Sequence, residues 1–420
     1  MALGLQQWGW TPRPNRALPQ GVILVLSANE ISAMAEVLTR PTSTKRARIL
    51  VSDDQHDILT ALSLLLKIHN FSAETVDSPD RALEAARSGK FDLILMDLNY
   101  SRDTTSGKEG LDLLTALRSH GVVTPVVVMT AWGNVELAVE AMRLGAVDFV
   151  QKPWENQRLL STLNKQLDRA ESARQHELKV RTELEIARHV QQKLLPQQFK
   201  TLSTLDYSAL CIPAREVGGD YYDFFDLGPD RLAGLLADVS GKGVAAAMLM
   251  ANLQACFRSQ FDGHFRDAGT LLETVNRLFH ASTPIEQYVT LFYFEYDNRS
   301  RLLRFVNCGH LPPALFRADG TVERLTPTST VLGLFPHCTC ECQELVLRER
   351  DLLAIFTDGV VDFLDQNGDE FGEERFLSLV QSVRTLGAQP ATRHLSERLR
   401  SASEGADQFD DQTIVLLKAR

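Results

Sequence analysis

The chain contains an uninterrupted stretch with neither glycine nor proline from Leu159 to Leu195, and Pro196 ends it. Apolar residues recur within it at steps of three or four, and polar residues fill the remaining positions, which predicts a helix. A helix of this length would run on the order of 55 Å at 1.5 Å per residue. The chain is therefore expected to fold as separate parts before and after this helix.

Length and composition limit the classes of protein to consider. The 420 residues favour two to four domains, and the 44% hydrophobic and 23% charged content is typical of a globular protein. A net charge of -10 argues against a broad nucleic-acid surface, and no basic helix-turn-helix is evident. No apolar run approaches the roughly 20 residues that span a bilayer. Six cysteines spread over three regions favour a reduced, cytoplasmic protein without a disulfide framework.

The run His337-Cys338-Thr339-Cys340-Glu341-Cys342 allows two interpretations. Cysteines at every second position are what one face of a strand presents. A zinc site usually has two to four residues between its ligands, and this run has one. A strand with small buried side chains is therefore favoured over a metal cluster.

Residues 1–47 lack periodicity and are expected to form a largely disordered arm. Met34 stands just before the part that behaves like a domain, which gives the hypothesis that translation begins there.

Between Ile49 and about residue 155, short apolar strands alternate with helical stretches, which predicts right-handed βαβ crossovers and a parallel sheet. The carboxyl ends of parallel strands meet at one edge, where such sheets bind ligands. Five side chains that can bind an ion or a phosphate fall at strand ends: Asp53, Asp54, Asp97, Thr130 and Lys152. Three carboxylates together require a divalent cation with oxygen ligands, and Mg²⁺ fits. Asp97 could then act as a nucleophile towards a phosphoryl group.

These residues, with Ala131 and Pro153 beside them, resemble the receiver domain of two-component response regulators over residues 48–165. The resemblance implies a doubly wound parallel sheet, phosphorylation of Asp97 by a histidine kinase, and Phe149 as the aromatic switch residue. The loop from Asn99 to Gly107 is longer than the usual turn at this point, but it removes none of the site residues.

Residues 166–200 are expected to form a linker helix, and two roles remain open for it. Its apolar stripe is interrupted in the middle by Arg174, Gln175 and Glu177, which is typical of a solvated linker. A long helix with a stripe must nevertheless bury that stripe somewhere, which favours a lever between domains or a homodimer contact.

Strand-like runs dominate residues 201–420, with helical stretches near 244–260, 270–281, 373–380 and 391–401. Consecutive strands with short connections predict antiparallel sheets, and this order of elements predicts a layered α/β sandwich with helices on the outside.

Acidic residues in this part recur beside strand ends and glycines: Asp220, Asp238, Asp358, Asp410 and Asp411. Such an oxygen-rich pocket is suited to hard divalent cations, Mg²⁺ or Mn²⁺. Two ions sharing a carboxylate could activate water for attack on phosphorus. His310 could be a general acid or a residue that stabilises a turn, and the structural role is favoured.

Several motifs together resemble the PPM-type (protein phosphatase 2C-like) serine/threonine phosphatases, in the bacterial branch that regulates sporulation and stress sigma factors. They are Ala187–Pro196, Val217–Asp223, Ala237–Gly243, Asn307–His310, Thr357–Val360 and Asp410–Thr413. The resemblance implies that Asp238 bridges two metals, that the Val239 carbonyl completes one shell, and that Asp238 and Asp358 are catalytic. The further ligands that it implies are Asp220, Asp358, Asp410 and, where relatives often have asparagine, Asp411.

The resemblances together imply a response regulator whose phosphorylation controls a protein phosphatase. The implied substrate is an anti-sigma-factor antagonist of the STAS type. The helix before Pro196 is then the element through which a partner domain switches activity. Arg215 is a candidate for binding the substrate phosphate. The alternative is a pseudophosphatase adaptor that binds a sigma factor or an anti-sigma partner.

Overall fold

The computed structural model describes residues 46–100, 107–131, 135–261, 267–284, 286–366, 368–403 and 408–420. The expected arm, Met34 and most of the loop between Asn99 and Gly107 lie outside the described residues. The chain divides into two units, Met1–Arg174 and Gln175–Arg420.

The first unit is built on one parallel five-stranded sheet in the order β2-β1-β3-β4-β5. Its strands are β1 Arg48–Ser52, β2 Ser72–Val76, β3 Leu93–Asp97, β4 Val126–Thr130 and β5 Asp148–Gln151. Its helices are α1 His56–Ile68, α2 Pro79–Ser88, α3 Lys108–Ser119 and α4 Val135–Arg143. Apolar side chains of the central strands alternate between two cores, one on each face of the sheet, which is why these strands are continuously apolar. The expected doubly wound sheet is confirmed, and the structure adds an edge strand, β2, that was not predicted.

A single long helix, α5 Asn156–Leu194, follows the sheet. Its first turns bury Leu159, Leu160 and Leu163 against the first unit. At its other end, Leu194 and the following Leu195 pack against the core of the second unit. The predicted helix is therefore present over almost the whole glycine-free stretch.

The second unit contains two antiparallel five-stranded sheets, in the orders β13-β10-β9-β8-β7 and β12-β11-β14-β15-β6. The first sheet is formed by β7 Tyr221–Asp226, β8 Arg231–Val239, β9 Val289–Asp297, β10 Leu302–Cys308 and β13 Gln343–Val346. The second is formed by β6 Leu205–Ile212, β11 Ala314–Phe316, β12 Val322–Arg324, β14 Leu352–Phe356 and β15 Gln412–Ala419. The helices are α6 Val244–Phe261, α7 Ala268–Ser282, α8 Glu373–Ser382 and α9 Ala388–Ala402.

Three apolar layers hold this unit together. Side chains that alternate along β9 show the arrangement, because Tyr293 joins the core under α6 and α7 while Phe294 joins the core between the sheets. On the far side, Phe356 of β14 packs against Phe376 of α8, with ring centroids 4.6 Å apart. The expected sandwich of sheets between helices is confirmed.

One local expectation was wrong. Residues Cys338 to Cys342 do not form a strand, because β13 begins only at Gln343. Separately, no helix in the described part of the chain is long and apolar enough to cross a membrane.

Candidate active sites

The carboxyl edge of the first sheet brings the predicted acidic residues together around one lysine. Lys152 Nζ donates hydrogen bonds to Asp53 Oδ2 at 2.6 Å and to Asp97 Oδ2 at 2.8 Å. Asp53 and Asp97 are almost fully buried. Burial raises the pKa of Asp97, and the neighbouring Lys152 opposes that rise. The lysine therefore helps to keep a buried carboxylate ionised, as a nucleophile requires.

The same edge has donors suited to a hard cation. One oxygen each of Asp53, Asp54 and Asp97 lies within 4.8 Å of the others. Asp54 Oδ1 and Thr130 Oγ1 are buried and have no hydrogen-bond partner. Buried polar atoms without partners are uncommon, so these two atoms point to a ligand. An oxygen-only donor set with an unpartnered carboxylate oxygen fits Mg²⁺.

The residue predicted to be the aromatic switch, Phe149, belongs to β5 and is 40% exposed.

Tyr100, three residues after Asp97, is buried, and its hydroxyl lies 2.7 Å from Ser52 Oγ. Tyr100 thus contacts the residue that directly precedes Asp53, which the sequence did not indicate.

In the second unit, three acidic residues from different segments interact at one place. Asp238 is the penultimate residue of β8, Asp358 follows β14, and Asp410 precedes β15. Burial, and next the charges of Asp358 and Asp410, raise the pKa of Asp238 to about 7. Burial and the charge of Asp410 also raise the pKa of Asp358. These carboxylates repel one another, and a divalent cation would relieve that repulsion.

Their spacing differs from that of the first unit. Among the described residues, no three acidic side chains of the second unit have oxygens all within 4.8 Å of one another. An all-oxygen donor set with mutual repulsion still fits Mg²⁺ or Mn²⁺, and the predicted Val239 carbonyl adds a neutral donor. This carbonyl would lie 3.0 Å from a Cβ at position 219, so Gly219 leaves it room.

Asp220 lies deeper than the other acids. It is 4% exposed, and its Oδ2 accepts hydrogen bonds from Thr357 Oγ1 at 2.9 Å and Thr413 Oγ1 at 2.5 Å. Burial, followed by the charges of Asp238 and Asp411, raises its pKa. Two hydroxyls thus hold one oxygen of Asp220 in place beside the acidic group.

The structure gives Asp411 backbone partners. Its Oδ1 accepts from Ala214 N at 2.8 Å, and its Oδ2 accepts from Gly219 N at 2.6 Å and Asp220 N at 3.3 Å. A Cβ on Gly218 would lie 2.3 Å from Asp411 Oδ2, so only glycine permits this approach. Asp411 therefore fastens the loop that carries Asp220, and its predicted ligation of a metal stays a prediction.

Lys242 lies in the turn between β8 and α6. Its Nζ pairs with Asp410 Oδ2 at 2.7 Å and donates to the Phe409 carbonyl at 2.7 Å. Gly241 and Gly243 have φ values of 96° and 72°, so this turn needs glycine on both sides of the lysine. The turn places a cation against a predicted metal ligand, a contact that the sequence analysis missed.

His310 is 2% exposed, and its Nδ1 lies 2.9 Å from Thr290 Oγ1. Its backbone N donates to Asn307 Oδ1 at 2.8 Å. Burial lowers the pKa of His310 to about 4. A histidine that is neutral at pH 7 is poorly suited to act as a general acid, so these contacts support the structural role.

The last turns of α5 contact the loop that carries Asp220. Gln191 Nε2 donates to the Gly218 carbonyl at 2.7 Å, and Gln191 Oε1 accepts from Gly218 N at 3.1 Å. One side chain thus satisfies both backbone groups of a buried residue two positions before Asp220. Gln191 lies within the motif Ala187–Pro196, but the motif alone does not distinguish it from the other polar residues of the helix.

Arg215 is exposed beside the turn that contains Lys242, and its Nη1 would lie 3.4 Å from a Cβ at position 243. It therefore lies close to the Gly241–Gly243 turn, as a residue that binds a substrate phosphate near the acidic group would.

Comparison with known protein families finds one match in each unit. The family described as "Response regulator receiver domain" matches residues 49–164, and the family "Stage II sporulation protein E (SpoIIE)" matches residues 228–420. The second match begins after Asp220, the residue that directly precedes β7.

Individual relatives resemble the chain over part of its length. It is 29% identical to Protein IcfG of Synechocystis over 262 residues, which are 56% of this chain and 41% of that protein. It is 26% identical to "Phosphoserine phosphatase RsbU" of Bacillus subtilis, over 57% of this chain and 71% of that protein. The chain thus spans about two-fifths of the first of these relatives. Among solved structures, the SiaA-PP2C domain of Pseudomonas aeruginosa has the same fold, with a TM-score of 0.52 and 21% identity over 58% of this chain and 98% of that domain.

Proposed function

We propose that phosphorylation of Asp97 controls hydrolysis of phosphoserine or phosphothreonine on a protein. The proposal rests on the matches of residues 49–164 to the response regulator receiver family and of residues 228–420 to the SpoIIE family, which support a receiver domain fused to a PPM-type phosphatase domain. The observation that carries the proposal is the interacting set Asp238, Asp358 and Asp410 where strands end: after burial, the charges of Asp358 and Asp410 raise the pKa of Asp238, and the charge of Asp410 raises the pKa of Asp358. An adaptor without catalysis would have no need for this costly arrangement.

In the receiver, Asp97 is the proposed phosphoacceptor for a histidine kinase. Lys152 already holds Asp53 and Asp97 by direct ion pairs, so it is placed to pair with a phosphate on Asp97. Thr130 offers a buried hydroxyl without a partner, which could donate to that phosphate. Asp53, Asp54 and Asp97 would hold Mg²⁺.

In the phosphatase domain, the proposed ligands are Asp238, the Val239 carbonyl, Asp358, Asp410 and, directly or through water, Asp220. Bound Mn²⁺ or Mg²⁺ ions would supply Lewis-acid activation of water and of the phosphoryl oxygens. The hydroxyls on Asp220 and the backbone amides on Asp411 fix the positions of these side chains before substrate arrives.

Control is proposed to pass through α5. This helix is buried against the receiver at Leu163 and holds Gly218 through Gln191 near its other end. A shift or rotation of its last turns would move the loop that carries Asp220. The helix exposes Leu178 near its middle and Val190 in its last turns, 63% and 53% exposed, which supports a homodimer contact along this part of α5. The proposed domain limits are 48–165, 166–200 and 201–420.

For the substrate, we propose a phosphorylated anti-sigma-factor antagonist of the STAS type. Similarity to a phosphoserine phosphatase supports a phosphoserine protein as the class of substrate. We also propose a cytoplasmic location, which is supported by six cysteines that are all free thiols.

The experiment measures phosphate release from a phosphoserine protein with Mn²⁺, with and without acetyl phosphate as phosphoryl donor. Wild type should release phosphate at a rate that depends on the donor, and Asp97→Asn should have a rate that does not. Asp238→Ala should lose release in both conditions. Release that continued unchanged in Asp238→Ala would rule out this mechanism. A wild type that releases no phosphate, and shows no saturable Mn²⁺-dependent hydrolysis of a simple phosphate ester, would support the adaptor instead.

A further inference from the structure

Three cysteine thiols meet in the second unit, away from the sites described above. Cys308 ends β10 and is fully buried, while Cys338 and Cys340 lie in the loop before β13 and are partly buried. Cys338 Sγ and Cys340 Sγ are 3.6 Å apart, and Cys308 is close enough to Cys340 to affect the pKa of its thiol. Ser329 Oγ lies 3.7 Å from Cys340 Sγ. Cys340 therefore stands at the centre of the group.

The surroundings of Cys340 favour its thiolate. Hydrogen bonds from Cys308 and Cys338, with a smaller contribution from Ser329, lower the pKa of Cys340 despite its partial burial. The donor role and burial raise the pKa of Cys308 and Cys338. One nucleophilic sulfur beside thiols that keep their protons is the arrangement of a reactive cysteine with a resolving partner.

The geometry favours a reacting pair over a metal site. A tetrahedral zinc site needs three or four ligand atoms around one point. Among the described residues, no three of the cysteine, histidine and acidic groups here have ligand atoms all within 4.8 Å of one another. The sulfurs of Cys338 and Cys340 are 3.6 Å apart, and the Cys308 sulfur is not within 4.8 Å of both.

We propose that Cys340 is a peroxide-reactive thiol and that Cys338 resolves it to an intramolecular disulfide. The Cys340 thiolate attacks hydrogen peroxide, so an S–O bond forms, the O–O bond breaks, and hydroxide leaves. The Cys338 thiol then attacks the Cys340 sulfenic acid, forming the S–S bond and releasing water. Two electrons pass from the two sulfurs to peroxide.

Cys338 is the assigned partner because both cysteines belong to the same loop. Their sulfurs must approach by about 1.5 Å to reach a disulfide bond length. Cys308 is held more firmly, because β10 pairs it with Leu291 of β9 and a further bridge joins it to Ser329. The loop that carries Cys338 and Cys340 is therefore the segment that moves when the disulfide forms.

Site-resolved labelling tests the reactivity. Wild-type full-length chain is treated with iodoacetamide at pH 6, where an ordinary thiol is roughly 0.3% thiolate. Cys340 should be alkylated at least about tenfold faster than the exposed Cys342, after allowance for its lower nucleophilicity. Cys342 labelled as fast as Cys340 or faster would overturn the assignment of the reactive thiol.

Peptide mapping without reduction tests the disulfide. Trypsin releases Cys308 within residues 305–317 and the other three cysteines of this region within residues 325–348. After treatment with hydrogen peroxide, the peptide 325–348 should lose two hydrogens, and fragmentation should place the bond between Cys338 and Cys340. A bond that joins the two peptides would overturn Cys338 as the resolving thiol.

Variants and metal analysis complete the test. Cys342→Ser should still form the disulfide, whereas Cys338→Ser should stop at a sulfenic acid on Cys340 that dimedone traps. Zinc retained through purification, with Cys340 labelled only after a chelator is added, would overturn the proposal in favour of a metal site. If Cys338→Ser does not fold, the wild-type labelling and mapping still decide the outcome.

Discussion

Gln191→Ala is the substitution that tests how α5 acts on the proposed phosphatase site. The change removes the donor to the Gly218 carbonyl at 2.7 Å and the acceptor for Gly218 N at 3.1 Å. Alanine has a higher helix propensity than glutamine, so the helix itself should not suffer. The effect should therefore come from the lost contact with the loop.

The magnitude follows from the burial of Gly218. Its N–H and C=O groups would both be left without partners, and each buried unsatisfied group costs about 1–3 kcal/mol. If the loop moves so that water reaches part of these two groups, holding it in its native position in the variant would cost about 2–4 kcal/mol. If the loop must be in place for catalysis, this free energy corresponds to roughly a 30- to 900-fold lower kcat.

The assay compares kcat and KM for a phosphoserine protein at saturating Mn²⁺. Gln191→Ala should lower kcat and change KM little, because Gln191 is predicted to act on the loop and not on the substrate. Gln192→Ala is the matched control, since its side chain is exposed on the neighbouring position of the helix. A kcat for Gln191→Ala that equals the control, with and without phosphoryl donor, would refute this account of control.

Three further substitutions test other contacts. His310→Gln should remove a pH dependence of stability: the pKa of His310 is about 4 in the fold and about 6.5 when unfolded, so its contribution is complete above pH 6.5 and falls as the pH drops towards 4. Wild type should lose roughly 3 kcal/mol relative to His310→Gln over that range in urea unfolding, and parallel curves would contradict this. Lys242→Gln should tighten Mn²⁺ binding up to about fivefold in calorimetry, because the ion must no longer displace the partly exposed pair with Asp410; weaker binding would show that the lysine supports the site. Gly359→Ala should destabilise the second unit by about 1–3 kcal/mol in thermal unfolding, since its Cβ would lie 2.2 Å from the Asp411 carbonyl oxygen, and an unchanged midpoint would mean that the backbone there can move.

Much of the fold follows from local sequence patterns. The apolar strands β1, β3 and β4 are buried on both faces, so they read as continuous hydrophobic runs and were predicted. The strand β2, with the sequence Ser-Ala-Glu-Thr-Val, is a polar edge strand and carries no such signal. The prediction of a strand at Cys338–Cys342 was also wrong because it rested on local pattern alone. The alternation does place the sulfurs of Cys338 and Cys340 on one side, but no neighbouring strand pairs with that segment in the described structure.

The sequence by itself determined which acidic groups the two candidate sites contain, because acidic residues at strand ends beside glycine form a local signal that needs no partner. Only the tertiary structure decided what each group does. Asp410 and Asp411 are adjacent in the chain, yet Asp410 meets Lys242 while Asp411 holds backbone amides about 190 residues away. Gln191 likewise looks like any polar residue of a helix until the loop at Gly218 lies against it. Hydrogen-bond partners are set by which segments the packed sheets bring together, and spacing along the chain does not carry that information.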